Sequence, residues 1–180
     1  MKKFLKGFAL VAILFISLIN LCSCYDFYKD FHDAGATIEQ TNNYEVLSLD
    51  QAKGKIDNKE TFILVLATSK SSTCVTRIST LQEQATYFGF EGKLYFVDMT
   101  DYKDTASGRK NLRESLKVKG YSNNLTGTDA VVVCYTKGEV TIDTSANLTS
   151  DSLKFVVNEG SSAINYDKLC AYLFNDFVLE

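Results

Sequence analysis

The chain has 180 residues, with 19 Lys plus Arg against 22 Asp plus Glu and a formal net charge of −3. No basic excess is present, so the electrostatic footprint of a nucleic-acid binder is excluded. One histidine, no proline and five cysteines narrow the chemistry further.

The chain opens Met1-Lys2-Lys3-Phe4-Leu5-Lys6, runs apolar from Gly7 to Leu21 and reaches Leu21-Cys22-Ser23-Cys24. A basic start followed by a short apolar run is the layout of a secretory signal. About twenty apolar residues are needed to cross a bilayer core, so residues 1–24 fit an export signal better than a permanent span. Leu21-Cys22-Ser23-Cys24 resembles the lipobox of bacterial lipoproteins, with Cys22 an unusual residue at its variable position. The resemblance implies diacylglycerol on Cys24, which anchors stably where one acyl chain does not. The chain is therefore expected to be exported and held through its N-terminus at the outer face of the cell membrane, lipid-anchored or signal-anchored.

Without that segment roughly 155 residues remain, enough for one domain with a real core and not comfortably two. Residues 25–43 are polar with scattered aromatics and no sustained period; they read as a tether to a domain at 44–180. His32 lies in the tether, so the domain lacks an imidazole. Histidine-dependent triads and most histidine metal sites are excluded, and no cofactor is implied. The domain holds Cys74, Cys134 and Cys170, an odd number that cannot all pair internally.

Tyr44 to Leu47 reads as a short strand, and Ser48-Leu49-Asp50-Gln51 has capping-box form, opening a helix with Leu49, Ala52 and Ile56 inside. Thr61 to Ala67 is a continuous apolar run, the pattern of a strand buried on both faces. A hydroxyl-rich turn, Thr68 to Thr73, leads to Val75, Ile78, Leu81, Ala85 and Phe88 at helical spacing, ending at Gly89. Lys93 to Met99 is a second buried strand at βαβ spacing. Residues 104–118 suit a charged helix with Leu112, Leu116 and Val118 inside. Ala130 to Tyr135 and Glu139 to Ile142 flank Thr136-Lys137-Gly138 as a hairpin. Residues 145–164 are polar around an apolar knot, Leu153 to Val157, and yield no assignment. Tyr166, Leu169, Cys170, Leu173, Phe174 and Phe177 form a wide stripe on a last amphipathic helix.

The order β-α-β-α-β-α-β-β-α resembles the thioredoxin-like superfamily. Within it the chain is most similar to the small exported or membrane-tethered thioredoxin-like proteins of Gram-positive bacteria, including the bacteriocin transport accessory type. The resemblance covers about residues 44–178 and rests on that order, the buried strand before the 68–74 turn, the Gly127-Thr128-Asp129-Ala130 step and the Lys137-Gly138 hairpin. It implies an α/β, three-layer fold: a mixed central sheet with helices on both faces, closed by an antiparallel hairpin and a helix.

The resemblance also locates the chemistry. Such enzymes carry Cys-x-x-Cys at the start of the helix after the central strand, where the helix N-terminus stabilises the first thiolate and the second cysteine resolves the mixed disulfide. The matching window here is Ser71-Ser72-Thr73-Cys74. Either Ser71 takes the nucleophile position and Cys74 the resolving one, or Cys74 is the nucleophile and Arg77 stands where it would be resolved. The first is favoured because it puts Leu81 at an apolar position of the family's helix, where the second puts Gln84. A serine stays protonated at neutral pH, so dithiol exchange would be lost; a lone Cys74 thiol beside Arg77 would instead form mixed disulfides. Cys74 is also explained as a small buried side chain. The family's cis-proline position falls on Asp129, whose peptide bond is expected to be trans, and whose carboxylate would disfavour a thiolate on Cys74. Thr128 and Asp129 then line the altered surface for a protein or peptide partner.

Cys134 and Cys170 read as core residues. Asp98, Asp101 and Asp104 match no Ca²⁺ loop and read as a solvated loop. Asn124-Leu125-Thr126 and Asn147-Leu148-Thr149 fit the N-glycosylation pattern, which has meaning only in a eukaryotic secretory route. Three functions follow as expectations: a binding or accessory protein without oxidoreductase activity, a single-thiol redox protein using Cys74, and a lipoprotein assisting export or maturation of a secreted peptide.

Overall fold

A computed structural model describes residues 26–119, 125–146, 153–157, 163–177 and 179. The export segment, Cys24, Asn124 and Asn147 lie outside them.

The chain is an α/β protein with a five-stranded mixed sheet in the order β1-β3-β2-β4-β5. Its strands are β1 (Tyr44–Val46), β2 (Phe62–Ala67), β3 (Leu94–Asp98), β4 (Val131–Thr136) and β5 (Glu139–Asp143). β3 runs parallel to both β1 and β2, whereas β4 is antiparallel to β2 and to β5. All six residues of β2 are buried, as a continuous apolar run demands of a central strand covered on both faces.

The period of two in a strand divides β2 between two cores. Ile63, Val65 and Ala67 enter one, and Phe62, Leu64 and Leu66 enter the other. α1 (Phe27–Asp33), α3 (Ser72–Tyr87) and α5 (Tyr166–Ala171) cover the first face. α2 (Leu49–Asp57) and α4 (Ala106–Ser115) cover the second. The capping box is present in full: Gln51 N–H donates to Ser48 Oγ at 3.2 Å, and Ser48 N–H donates to Gln51 Oε1 at 2.8 Å. The hairpin turns at Lys137 and Gly138, both at positive φ (53° and 76°), the geometry that matches the twist of the flanking strands. A Cβ on Gly138 would lie 2.3 Å from the Ile56 carbonyl oxygen, so the turn also needs glycine for space.

Three expectations change. Residues 26–38 are not a free tether. Asp26 caps α1 by accepting from Lys29 N–H at 3.0 Å, and Phe27, Phe31, Ala36 and Ile38 are buried in the first core. Phe27 stacks on Tyr44 at 4.5 Å, and the Phe31 ring meets Phe96 edge-on at 5.6 Å. Two aromatics four residues apart suffice to seat one helical turn against a sheet, but give too short a pattern to display a period. α4 is shorter than expected, with Leu116 and Val118 buried beyond its end. The last helix keeps α geometry only to Ala171; residues Tyr172–Asp176 widen into a π turn, closed by Phe177 N–H on the Tyr172 carbonyl at 2.8 Å. Within the unassigned stretch, Lys154–Val156 form a short 3-10 turn that buries Leu153 and Val156 in the first core.

Candidate functional site

At the C-terminal end of β2 the chain turns through Thr68 to Ser71 and enters α3. Ser71 is the N-cap of that helix: its Oγ accepts from Cys74 N–H at 3.4 Å and donates to the Thr128 carbonyl at 2.9 Å. The hydroxyl is thus engaged both as acceptor and as donor. It ties the helix start to the segment that precedes β4.

That segment is set by Gly127, at φ +71°, where a Cβ would come within 2.6 Å of Lys103 Cδ. Its carbonyl accepts from the Cys74 thiol at 3.5 Å. Thr128 is exposed and shares a 2.7 Å hydroxyl contact with Thr126. The Thr128–Asp129 peptide is trans, as expected of a chain with no proline there.

Cys74 is fully buried. Burial pushes its thiol pKa up and is the largest influence; hydrogen bonding from the Thr68 backbone and Ser71 pulls it down, and the Asp129 charge adds a further push upward. The expected opposition of Asp129 to a Cys74 thiolate is present, but it is secondary to desolvation. A nucleophile needs thiolate and access, and burial works against both at Cys74. Cys74 thus lies inward of Ser71, the helix N-cap.

Cys134 and Cys170 are free and buried like Cys74, all three in the same core. Burial raises both thiols, Cys170 to about 12 with a smaller contribution from Asp167.

The surface beside Ser71 joins Arg77 and Asp129 to a group that sequence reading placed elsewhere, Tyr166. Arg77 Nε–H donates to Asp129 Oδ1 at 3.2 Å, and the same oxygen accepts from Ala130 N–H at 2.8 Å. The Arg77 guanidinium carbon lies 3.8 Å from the centre of the Tyr166 ring. Tyr166 in turn donates its hydroxyl to the Ala130 carbonyl at 3.3 Å. Tyr166 reads from sequence as one member of an apolar stripe, and nothing local tells that α5 starts over the 127–130 segment. Arg77 reads as the residue replacing a resolving cysteine, or as a cation beside the Cys74 thiol, and not as the partner of Asp129 and Tyr166. Below this surface, Thr68 Oγ1 meets Thr100 Oγ1 at 2.7 Å. Asp98 Oδ1 accepts from the Thr100 hydroxyl at 2.7 Å and its N–H at 3.0 Å. Burial is the main influence raising the Asp98 pKa, against those two hydrogen bonds.

Among the described residues no group of three or more His, Cys, Asp or Glu side chains converges as a metal site. No described helix is long and apolar enough to cross a membrane. No protein-family model matches the chain, and no curated protein matches its sequence.

Proposed function

We propose that the chain is an exported, membrane-tethered thioredoxin-like protein, lipid-anchored at Cys24, whose 71–74/128–129 surface binds a protein or peptide partner without exchanging disulfides. The mixed sheet with a buried central strand, a long helix starting at its C-terminal end and a facing 127–129 segment supports the thioredoxin-like reading. The observation that carries the loss of chemistry is Ser71: a hydroxyl stands at the nucleophile position, committed to Thr128 and to the helix cap, with the nearest thiol among the described residues, Cys74, buried behind it.

Disulfide exchange by a dithiol needs a thiolate attacker and a resolving thiol, and this site offers one desolvated thiol. The full-length chain, incubated with a model disulfide substrate and a thiol reductant, is expected to show no reduction above the reductant's own rate. Ser71→Cys is expected to recover part of the exchange, limited by Asp129. Robust turnover by the wild type that Cys74→Ser abolishes would overturn the reading in favour of single-thiol chemistry. Placement at the outer membrane face rests on the basic start, the apolar run and Leu21-Cys22-Ser23-Cys24; a role in exporting a secreted peptide is one form that an accessory function at that address can take.

A further inference from the structure

Arg77 is held more firmly than an exposed arginine needs to be. Its Nε edge is bound to Asp129 and one of its faces is packed on Tyr166 at 3.8 Å. A guanidinium fixed on one edge and one face has lost most of its freedom before any ligand arrives. Its two terminal nitrogens carry four N–H groups, and no described residue takes them. The side chain remains about a third exposed (31%).

Beside it lies a cleft of about 260 Å³, whose walls include Thr128, Ala130, Val131, Ala146 and Ile164 together with Arg77 and Tyr166. Pockets for whole small molecules run to about 300–1,000 Å³, so this one suits an end group. The lining also includes Asp129 and Thr144; a fixed cation with its charge partner on one side and small apolar side chains on the other can take a carboxylate with an apolar neighbour.

We propose that the cleft receives the C-terminal carboxylate of a peptide whose last side chain is small and apolar, with the terminal edge of Arg77 as its receptor. Two parallel N–H···O bonds from a planar fork match a carboxylate. Asp129 leaves the local charge balanced, which counts against phosphate: a group of charge about −1.5 to −2 meets more repulsion from Asp129 than a carboxylate does. Thr128 lines both the cleft and the Ser71 contact, so the peptide leading to the bound terminus lies along the partner surface. The inference rests on the partner-binding reading and adds the chemistry of the end that is read.

The test uses the purified full-length chain in detergent, ¹⁵N-labelled, titrated with acetyl-Gly-Ala-Val as the free acid, the same peptide as its amide, isobutyrate, and inorganic phosphate. The acid is expected to shift the Arg77 Nε–H resonance and to bind at least about tenfold more tightly than the amide, as loss of a charge-assisted hydrogen bond implies. Arg77→Gln is expected to erase the difference between acid and amide. Asp129→Asn is expected to tighten the acid and leave the amide unchanged. Equal binding of acid and amide at this surface would overturn the carboxylate assignment and leave partner binding standing. Isobutyrate or phosphate binding as tightly as the peptide acid would overturn the peptide assignment. No shift at Arg77, Thr128 or Ser71 with any of the four would overturn both.

Discussion

The two faces of the sheet are built differently. The face under α2 and α4 is closed by helices that directly follow β1 and β3 in the chain, so neighbours in sequence are neighbours in space. Its centre is the stack of Phe62 on Tyr135 at 4.6 Å, with the Tyr135 hydroxyl donating to the Leu116 carbonyl at 2.6 Å. The face under α1, α3 and α5 adds to the helix that follows β2 one from before β1 and one from after β5, and carries everything that distinguishes the site. It holds Cys74, Cys134 and Cys170, and its rim joins Ser71, Thr128, Arg77, Asp129 and Tyr166. The locally built face serves as scaffold; the assembled face brings polar groups together at the C-terminal end of β2. α1 belongs to that assembled face, where Phe31 contacts Phe96 and Thr37 N–H donates to Ser79 Oγ on α3 at 2.9 Å.

The sharpest way to break this comparison is to remove what α1 contributes. Phe31→Ala is expected to cost about 3–5 kcal/mol, the range for emptying a fully buried aromatic site, since Phe31 has no exposed surface. Urea denaturation of wild type and variant measures it. A loss below about 1 kcal/mol would mean that α1 merely rests on the domain, and that residues 26–38 behave as the tether their polarity suggests.

The order of strands and helices from residue 44 onward was legible because each element carries its own local signal: the capping box at Ser48, the unbroken apolar run of β2, the Lys137-Gly138 turn. Ser71, Cys74, Thr128 and Asp129 were legible only through resemblance, and the structure does bring them together. What escaped is what depends on two distant segments at once. Phe27 and Phe31 show their purpose only when Tyr44 and Phe96 are placed opposite them. Arg77 and Tyr166 are 89 positions apart in sequence, and neither carries a local mark of the other. The π turn at Tyr172–Asp176 escaped because the stripe Leu169, Cys170, Leu173 and Phe174 also satisfies α periodicity.

A smaller effect separates the faces by titration. A group whose folded pKa is raised leaves stability untouched below its unfolded pKa, then lowers it as pH rises, because the unfolded chain loses its proton first. The thiols of the assembled face start from an ordinary value of 9.0 and burial raises all three, Cys170 to about 12. Tyr135 on the other face starts from 10.0 and is also raised, chiefly by burial, so its contribution begins a pH unit later. Between pH 9 and 10 the stability of the reduced protein is therefore expected to fall, by on the order of 1 kcal/mol for each of the strongly raised thiols Cys134 and Cys170. The Cys134→Ala/Cys170→Ala variant starts less stable at pH 7 and yet loses less over that interval, the remainder coming from Cys74 and from buried tyrosines such as Tyr44 in the same core. Urea midpoints at pH 8, 9 and 10 under reductant give the slopes. Equal slopes in wild type and variant would show that the thiols do not dominate this range and that high pH acts on the two faces alike.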